Sequence, residues 1–192
     1  MITKERWNMA QEGERRQHTF TLDDGVKAYG NGYRTSLFKY LDISYEDMQG
    51  KSVLEIGPAD FPAIYFCKNL APSYVIEPMD SPILSILAAQ SGFTIIKEPA
   101  EECTYPNVDE TWMFNVLTHV MSPDLIIDRA KSHSKIIRFF EPVYTGIGVE
   151  HPWSFTFDYF REKFGRCIRF YPPNEDAVNF HQHECVFGIY KK

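Results

Sequence analysis

The chain of 192 residues lacks any CxxC pair; its four cysteines, Cys67, Cys103, Cys167 and Cys185, are scattered. That excludes zinc-ribbon spacing and argues against a disulfide framework, so the thiols read as reduced and the setting as cytoplasmic. It also lacks a basic excess. The formal charge is -6, and a nucleic-acid partner, which needs a basic face to neutralise phosphates, is disfavoured. No stretch approaches the roughly 20 apolar residues of a membrane helix. No apolar run follows Met1–Arg6, which argues against a secretory leader. Internal repeats and low-complexity segments are absent too.

What is present is an ordinary globular balance, 44% hydrophobic and 24% charged, in a length that suits one compact domain. Residues 4–17, with Trp7 and Met9 as apolar anchors, read as an amphipathic helix. Residues 20–33, with Gly25, Gly30 and Gly32, read as a loop, and 34–42 as a helix. These form an N-terminal helical arm or lid over 1–49, against a single unit over 50–192.

Strand and helix signals alternate in that unit. Val53–Ile56 ends at Gly57-Pro58 as a first strand. A helix follows over 62–70, with Asp60 as its cap. Strands are expected at 74–77, 93–96, 112–116 and 135–140. Ser81-Pro82 and Ser122-Pro123 open helices, and Thr156 or Ser154 caps another that Gly165 ends. Strands at 166–171 and 184–190 have no helix between them. The alternation implies right-handed crossovers and a mostly parallel doubly wound α/β sheet, seven-stranded, with an antiparallel C-terminal hairpin at its edge.

In such a sheet ligands sit beyond the carboxyl ends of the strands. The first turn reads Glu55-Ile56-Gly57-Pro58-Ala59-Asp60. It lacks GxGxxG, and it lacks the Lys of a phosphate-binding loop, so diphosphate binding is poorly supported. Glu77, at the end of the second strand, is placed to accept hydrogen bonds from both ribose hydroxyls, an arrangement that NAD would share.

With these residues in order, the chain resembles the class I, Rossmann-like S-adenosylmethionine-dependent methyltransferases of the small-molecule type. The resemblance is firm over about residues 50–140. It implies S-adenosylmethionine as cofactor and methyl transfer to a small-molecule oxygen or nitrogen. Glu55, Gly57 and Ala59 would line the methionine part. Glu77 would hold the ribose, with Pro78 and Met79 beside the adenine. The Ala100-Glu101 loop would border the adenine, and Asn115 and Val116 would contact cofactor through the fourth-strand motif. Arg34, with Tyr29 and Tyr33, would pair with the cofactor carboxylate in a lid. Ala59 stands where the family commonly has a second Gly; it is tolerated there at negative φ.

His151 and His119 lie on the same rim and are the candidate bases, since imidazole titrates near neutral pH. Alignment on an already activated sulfonium needs less help than most reactions. No metal is expected, and His181-Gln182-His183 reads as a surface loop. Two alternatives stand beside the enzyme: a non-catalytic module that binds S-adenosylmethionine or S-adenosylhomocysteine, and, more distantly, an NAD-dependent oxidoreductase. Acceptor and oligomeric state are not encoded in any motif.

Overall fold

A computed structural model describes residues 1–17, 21–28, 34–44, 46–170 and 184–192, with the side chains of Arg16, Gln17, Ala28, Arg34 and Phe170 outside that description. Its sheet has seven strands: β1 (Val53–Ile56), β2 (Tyr74–Ile76), β3 (Thr94–Ile96), β4 (Val108–Phe114), β5 (Ser134–Pro142), β6 (Ile168–Phe170) and β7 (Cys185–Lys191). Their order is β3-β2-β1-β4-β5-β7-β6. Strands β1 to β5 pair in parallel, while β7 runs antiparallel to both β5 and β6. The chain therefore moves outward in one direction from β1 and in the other from β4. The reversal point lies between those two strands, where open α/β sheets bind ligands.

Alternate residues along the strands feed two cores. Leu54, Ile56, Met113, Ile137 and Phe139 belong to one, with Phe160 and Phe164 of α6 (Phe157–Phe164) and Ile126 and Ile127 of α5 (Pro123–His133). Val53, Val75, Trp112 and Phe140 belong to the other, with Leu37 and Phe38 of α3 (Arg34–Tyr40) and Leu84 and Leu87 of α4 (Pro82–Ser91). A sheet covered on both faces needs apolar side chains on both sides of a strand, and Val53-Leu54 of β1 and Trp112-Met113 of β4 supply one to each core.

The caps explain α4. Ser81 Oγ accepts from Leu84 N–H, Pro82 opens the helix, and Gly92 closes it at φ 79°. Thr156 caps α6 in the same way. Ser122 does not cap α5 through its side chain. The helix α1 (Lys4–Gln17) forms and buries Trp7, but the second expected anchor, Met9, is 52% exposed, and Ala10 is buried in its place.

Three expectations need correction. Residues 22–28 are not loop but a helix, α2 (Leu22–Ala28), whose first turn is closed by Thr21 Oγ1 accepting from Asp24 N–H at 3.2 Å. Gly25 is there for close approach: a Cβ would sit 1.8 Å from the Phe61 ring. The segment after β1 is no regular helix over 62–70; it makes one 3-10 turn, Ala63–Phe66, and leaves helical geometry at Cys67. Asp60 caps nothing there and instead accepts from Ser81 Oγ at 2.5 Å. Finally, β4 starts at Val108 and stops at Phe114, so Asn115 and Val116 belong to the turn after it.

Candidate functional site

The rim at the carboxyl ends of β1, β2, β4 and β5 is built by buried carboxylates that grip backbone N–H groups. Glu55, 1% exposed, accepts from Ala63 N–H at 2.8 Å and Ile64 N–H at 2.9 Å. It thereby fixes the start of the 3-10 turn. Glu77, 2% exposed, accepts from Ala59 N–H through one oxygen at 2.9 Å and from Met79 N–H through the other at 3.0 Å. One side chain thus ties the turn after β1 to the turn after β2. Glu141, at the end of β5, accepts from Val116 N–H and Leu117 N–H at 3.0 and 3.1 Å and so holds the turn after β4.

The turns are strained where they meet. Gly57 has φ 61°, and a Cβ there would lie 2.2 Å from Val116 Cγ2. Its missing side chain therefore lets the loops after β1 and β4 close on each other at the reversal point. Ala59 has φ 55° and Asn115 φ 56°. Negative φ was the condition for an unstrained Ala59; it is not met, and the left-handed conformation costs a non-glycine residue about 1 kcal/mol. Its N–H bond to Glu77 helps to hold it there. Non-glycine residues in this region gather where surrounding structure over-determines the backbone, commonly at functional sites.

Pro78 and Met79 line a cavity of about 640 Å³ whose other wall is α1, including Trp7, Asn8 and Gln11. That volume suits a small-molecule ligand. The Ala100-Glu101 loop is committed elsewhere in part: Glu101 Oε1 accepts from Ser122 N–H at 2.9 Å, and the Ala100 carbonyl accepts from Arg129 at 3.1 Å. The side chain of Arg34, along with Tyr29, Tyr33 and His181-Gln182-His183, lies outside the described residues.

The two histidines do meet. His119 follows the turn after β4 and His151 the end of β5, and their ring centroids are 4.6 Å apart. His119 Nδ1 is 3.3 Å from Glu14 Oε1 of α1 and 3.1 Å from the Glu150 carbonyl. Further contacts dock α1 on this rim. Gln11 donates to the His119 carbonyl at 3.3 Å, Ile2 N–H to the Met121 carbonyl at 2.9 Å, and Arg6 to the carbonyls of Gly148 and Val149.

Electrostatics mark Glu141. Burial pushes its carboxyl up to about 8, against the pull of the two N–H donors, and its Oε2 has no hydrogen-bond partner among the described residues. Sequence reasoning missed Glu141, although an acid between Phe140 and Pro142 at a strand end was a readable signal. The thiols of Cys67 and Cys185 are each pushed up to about 12, chiefly by burial, and so are poor nucleophiles at neutral pH.

No protein-family model matches the sequence, and no curated protein matches it. Solved structures do match in fold. A Burkholderia thailandensis 1,6-didemethyltoxoflavin-N1-methyltransferase, bound to 1,6-didemethyltoxoflavin and S-adenosylhomocysteine, superposes with a TM-score of 0.67 at 14% identity, covering 100% of this chain and 91% of its own. The N-methyltransferase NodS from Bradyrhizobium japonicum WM9, with S-adenosylhomocysteine, gives 0.60 at 14% identity over 96% and 98%. The cyclase SpnF gives 0.61 at 11% identity over 83% and 79%. The sheet order, the antiparallel last strands and these likenesses together identify the architecture as the Rossmann-like fold of the S-adenosylmethionine-dependent methyltransferases.

Proposed function

We propose that this protein transfers a methyl group from S-adenosylmethionine to an oxygen or nitrogen of a small molecule. The observation that carries the reading is Glu77: a buried carboxylate just after β2 whose two oxygens tie the turn after β1 to the turn after β2. Ala59 N–H and Met79 N–H donate to those oxygens, so the side chain stands where the two turns meet, and the ribose would lie beside it. Pro78 and Met79 supply apolar contact for a purine. The Gly57 and Asn115-Val116 turns would face the methionine part, and Arg34 its carboxylate. The cofactor supplies an activated methyl on a sulfonium. The chain's own work is to align the acceptor and keep water out.

The acceptor would sit by His119 and His151. His151 is the candidate proton acceptor, and His119, held by Glu14 and the Glu150 carbonyl, positions it. The net charge of -6 is consistent with a small-molecule acceptor rather than a nucleic acid.

Calorimetry with S-adenosylmethionine, S-adenosylhomocysteine and NAD tests the cofactor. Binding of the first two in preference to NAD is expected; no binding of either would sink the reading. SpnF, a cyclase, has the same fold, and this favours one second reading: a cofactor-binding protein without methyl transfer. Tight S-adenosylhomocysteine binding with no methylation across a broad acceptor panel would select it.

A further inference from the structure

Glu14, His119 and His151 come from three distant parts of the chain: α1, the turn after β4 and the loop after β5. Each offers one ligand-capable atom, and these atoms lie within 4.8 Å of one another. All three residues are half-buried, so a small ion can reach them while bulk water is thinned around them. Two imidazoles and one carboxylate suit borderline divalent metals, whereas Mg²⁺ prefers oxygen donors.

We propose that these three side chains form a binding site for a divalent transition metal of the Zn²⁺ class, fastening the N-terminal helix to the rim of the sheet. Donors about 2.1 Å from one ion lie roughly 3.4 Å apart, so the cluster needs only small side-chain rotations to close on a metal. The support behind the ligands already exists. His119 Nδ1 is 3.3 Å from Glu14 Oε1 and 3.1 Å from the Glu150 carbonyl, so the imidazole is already held beside the carboxylate. Gln11, donating to the His119 carbonyl, anchors the same turn from α1.

Three protein ligands leave at least one coordination position open, as in catalytic rather than structural zinc sites. That position would take water or an oxygen or nitrogen donor of a small molecule. With metal bound, the imidazoles give their lone pairs to the ion, and the ion's charge, not a free histidine, would lower the pKa of a coordinated hydroxyl. Metal binding itself does not depend on the methyltransferase reading; only this last consequence rests on it.

The test uses the full-length protein, stripped with chelator and then freed of it. Calorimetry with Zn²⁺ should give one site per chain, and a hundredfold excess over Kd should raise Tm by about 5 °C or more. Mg²⁺ should do neither. Glu14→Gln and His151→Asn, each first shown to unfold near the wild-type temperature without metal, should weaken Zn²⁺ binding about 100-fold or more. Co²⁺ should give visible absorption bands that Glu14→Gln abolishes. Three results would each overturn the proposal: no single-site Zn²⁺ binding, an equal response to Mg²⁺, or Zn²⁺ binding unchanged in both variants, which would place the ion at other donors such as Cys167. None of these results bears on S-adenosylmethionine affinity, so the two readings fail separately.

Discussion

The two ends of the central sheet handle acidic residues in opposite ways. Near the amino end, Glu110 is fully buried and paired with Arg138 at 2.8 Å and Lys51 at 3.1 Å, and Trp112 donates to it at 3.0 Å. Burial works against its charge, yet these partners hold its carboxyl below the ordinary value. Arg138 also donates to the carbonyls of Leu41 and Asp42, which ties the end of α3 to the sheet. Beside it, Lys135 and Ser52 hold the Asp109 carboxyl down to about 2. At the carboxyl end, Glu55, Glu77 and Glu141 grip backbone N–H groups of loops instead. Charge pairing closes one end. The other end consists of loops, with Gly57, Ala59 and Asn115 at positive φ, held by carboxylates through backbone N–H bonds. One end is fastened by paired charge, and the other by acids that hold strained backbone.

The contrast can be broken most severely at the amino end. Arg138→Met leaves Glu110 buried without its main counter-charge and should cost about 3–5 kcal/mol by denaturant unfolding. Adding Glu110→Leu should recover much of that loss, because a packed apolar pair needs no desolvation; no recovery would mean that the lost carbonyl contacts dominate. At the carboxyl end, Gly57→Ala combines a positive φ with the 2.2 Å approach to Val116. It should cost about 3 kcal/mol. Val116→Ala in the same chain should restore only the steric part.

Glu141 gives the pH signature. Burial raises its carboxyl in the fold to about 8, well above the ordinary 4.5. Its contribution is therefore fully present below about 4.5 and is lost as pH rises through 8. Between pH 5.5 and 8 the wild type should lose stability, relative to Glu141→Gln, on the order of 2 kcal/mol. Parallel curves for the two proteins would show that Glu141 ionises freely in the fold. Glu77→Gln keeps one acceptor oxygen but removes the charge, so S-adenosylmethionine affinity should fall about tenfold by calorimetry. An unchanged Kd would separate Glu77 from the ligand. The smallest effect is expected from Ala59→Gly: relief of the left-handed strain, largely offset by chain entropy, should stabilise the protein by at most about 0.5 kcal/mol.

Much of the architecture was legible because it rests on local signals. Ser81, Pro82 and Gly92 bracket α4 through caps that need no tertiary partner. The apolar pairs Val53-Leu54 in β1 and Trp112-Met113 in β4 announce a sheet buried on both faces, whereas Asp109-Glu110-Thr111 hid the start of β4. Where a distant partner decides the outcome, local reading fails. Gly25 looked like loop punctuation, yet it sits in a helix, and the Phe61 ring packed against it is what requires a glycine. The segment after β1 has helical composition, and Glu55 binds its first N–H groups as a cap, yet the helix leaves 3-10 geometry at Cys67 after one turn.

The site divides along the same line. The positions of Glu55, Gly57, Ala59 and Glu77 at the ends of the first two strands were readable, since strand ends and turns follow from local periodicity and backbone freedom. Their partners did not follow. That Glu77 clasps Ala59, that Val116 fills the space above Gly57, and that Glu14 reaches His119 and His151 were decided by the parallel crossovers, which bring segments far apart in sequence onto one rim. Sequence by itself determined the elements and the acids at their ends. Only the tertiary structure decided which backbone groups those acids hold, because such contacts depend on loop closure across the sheet and have no periodicity to read.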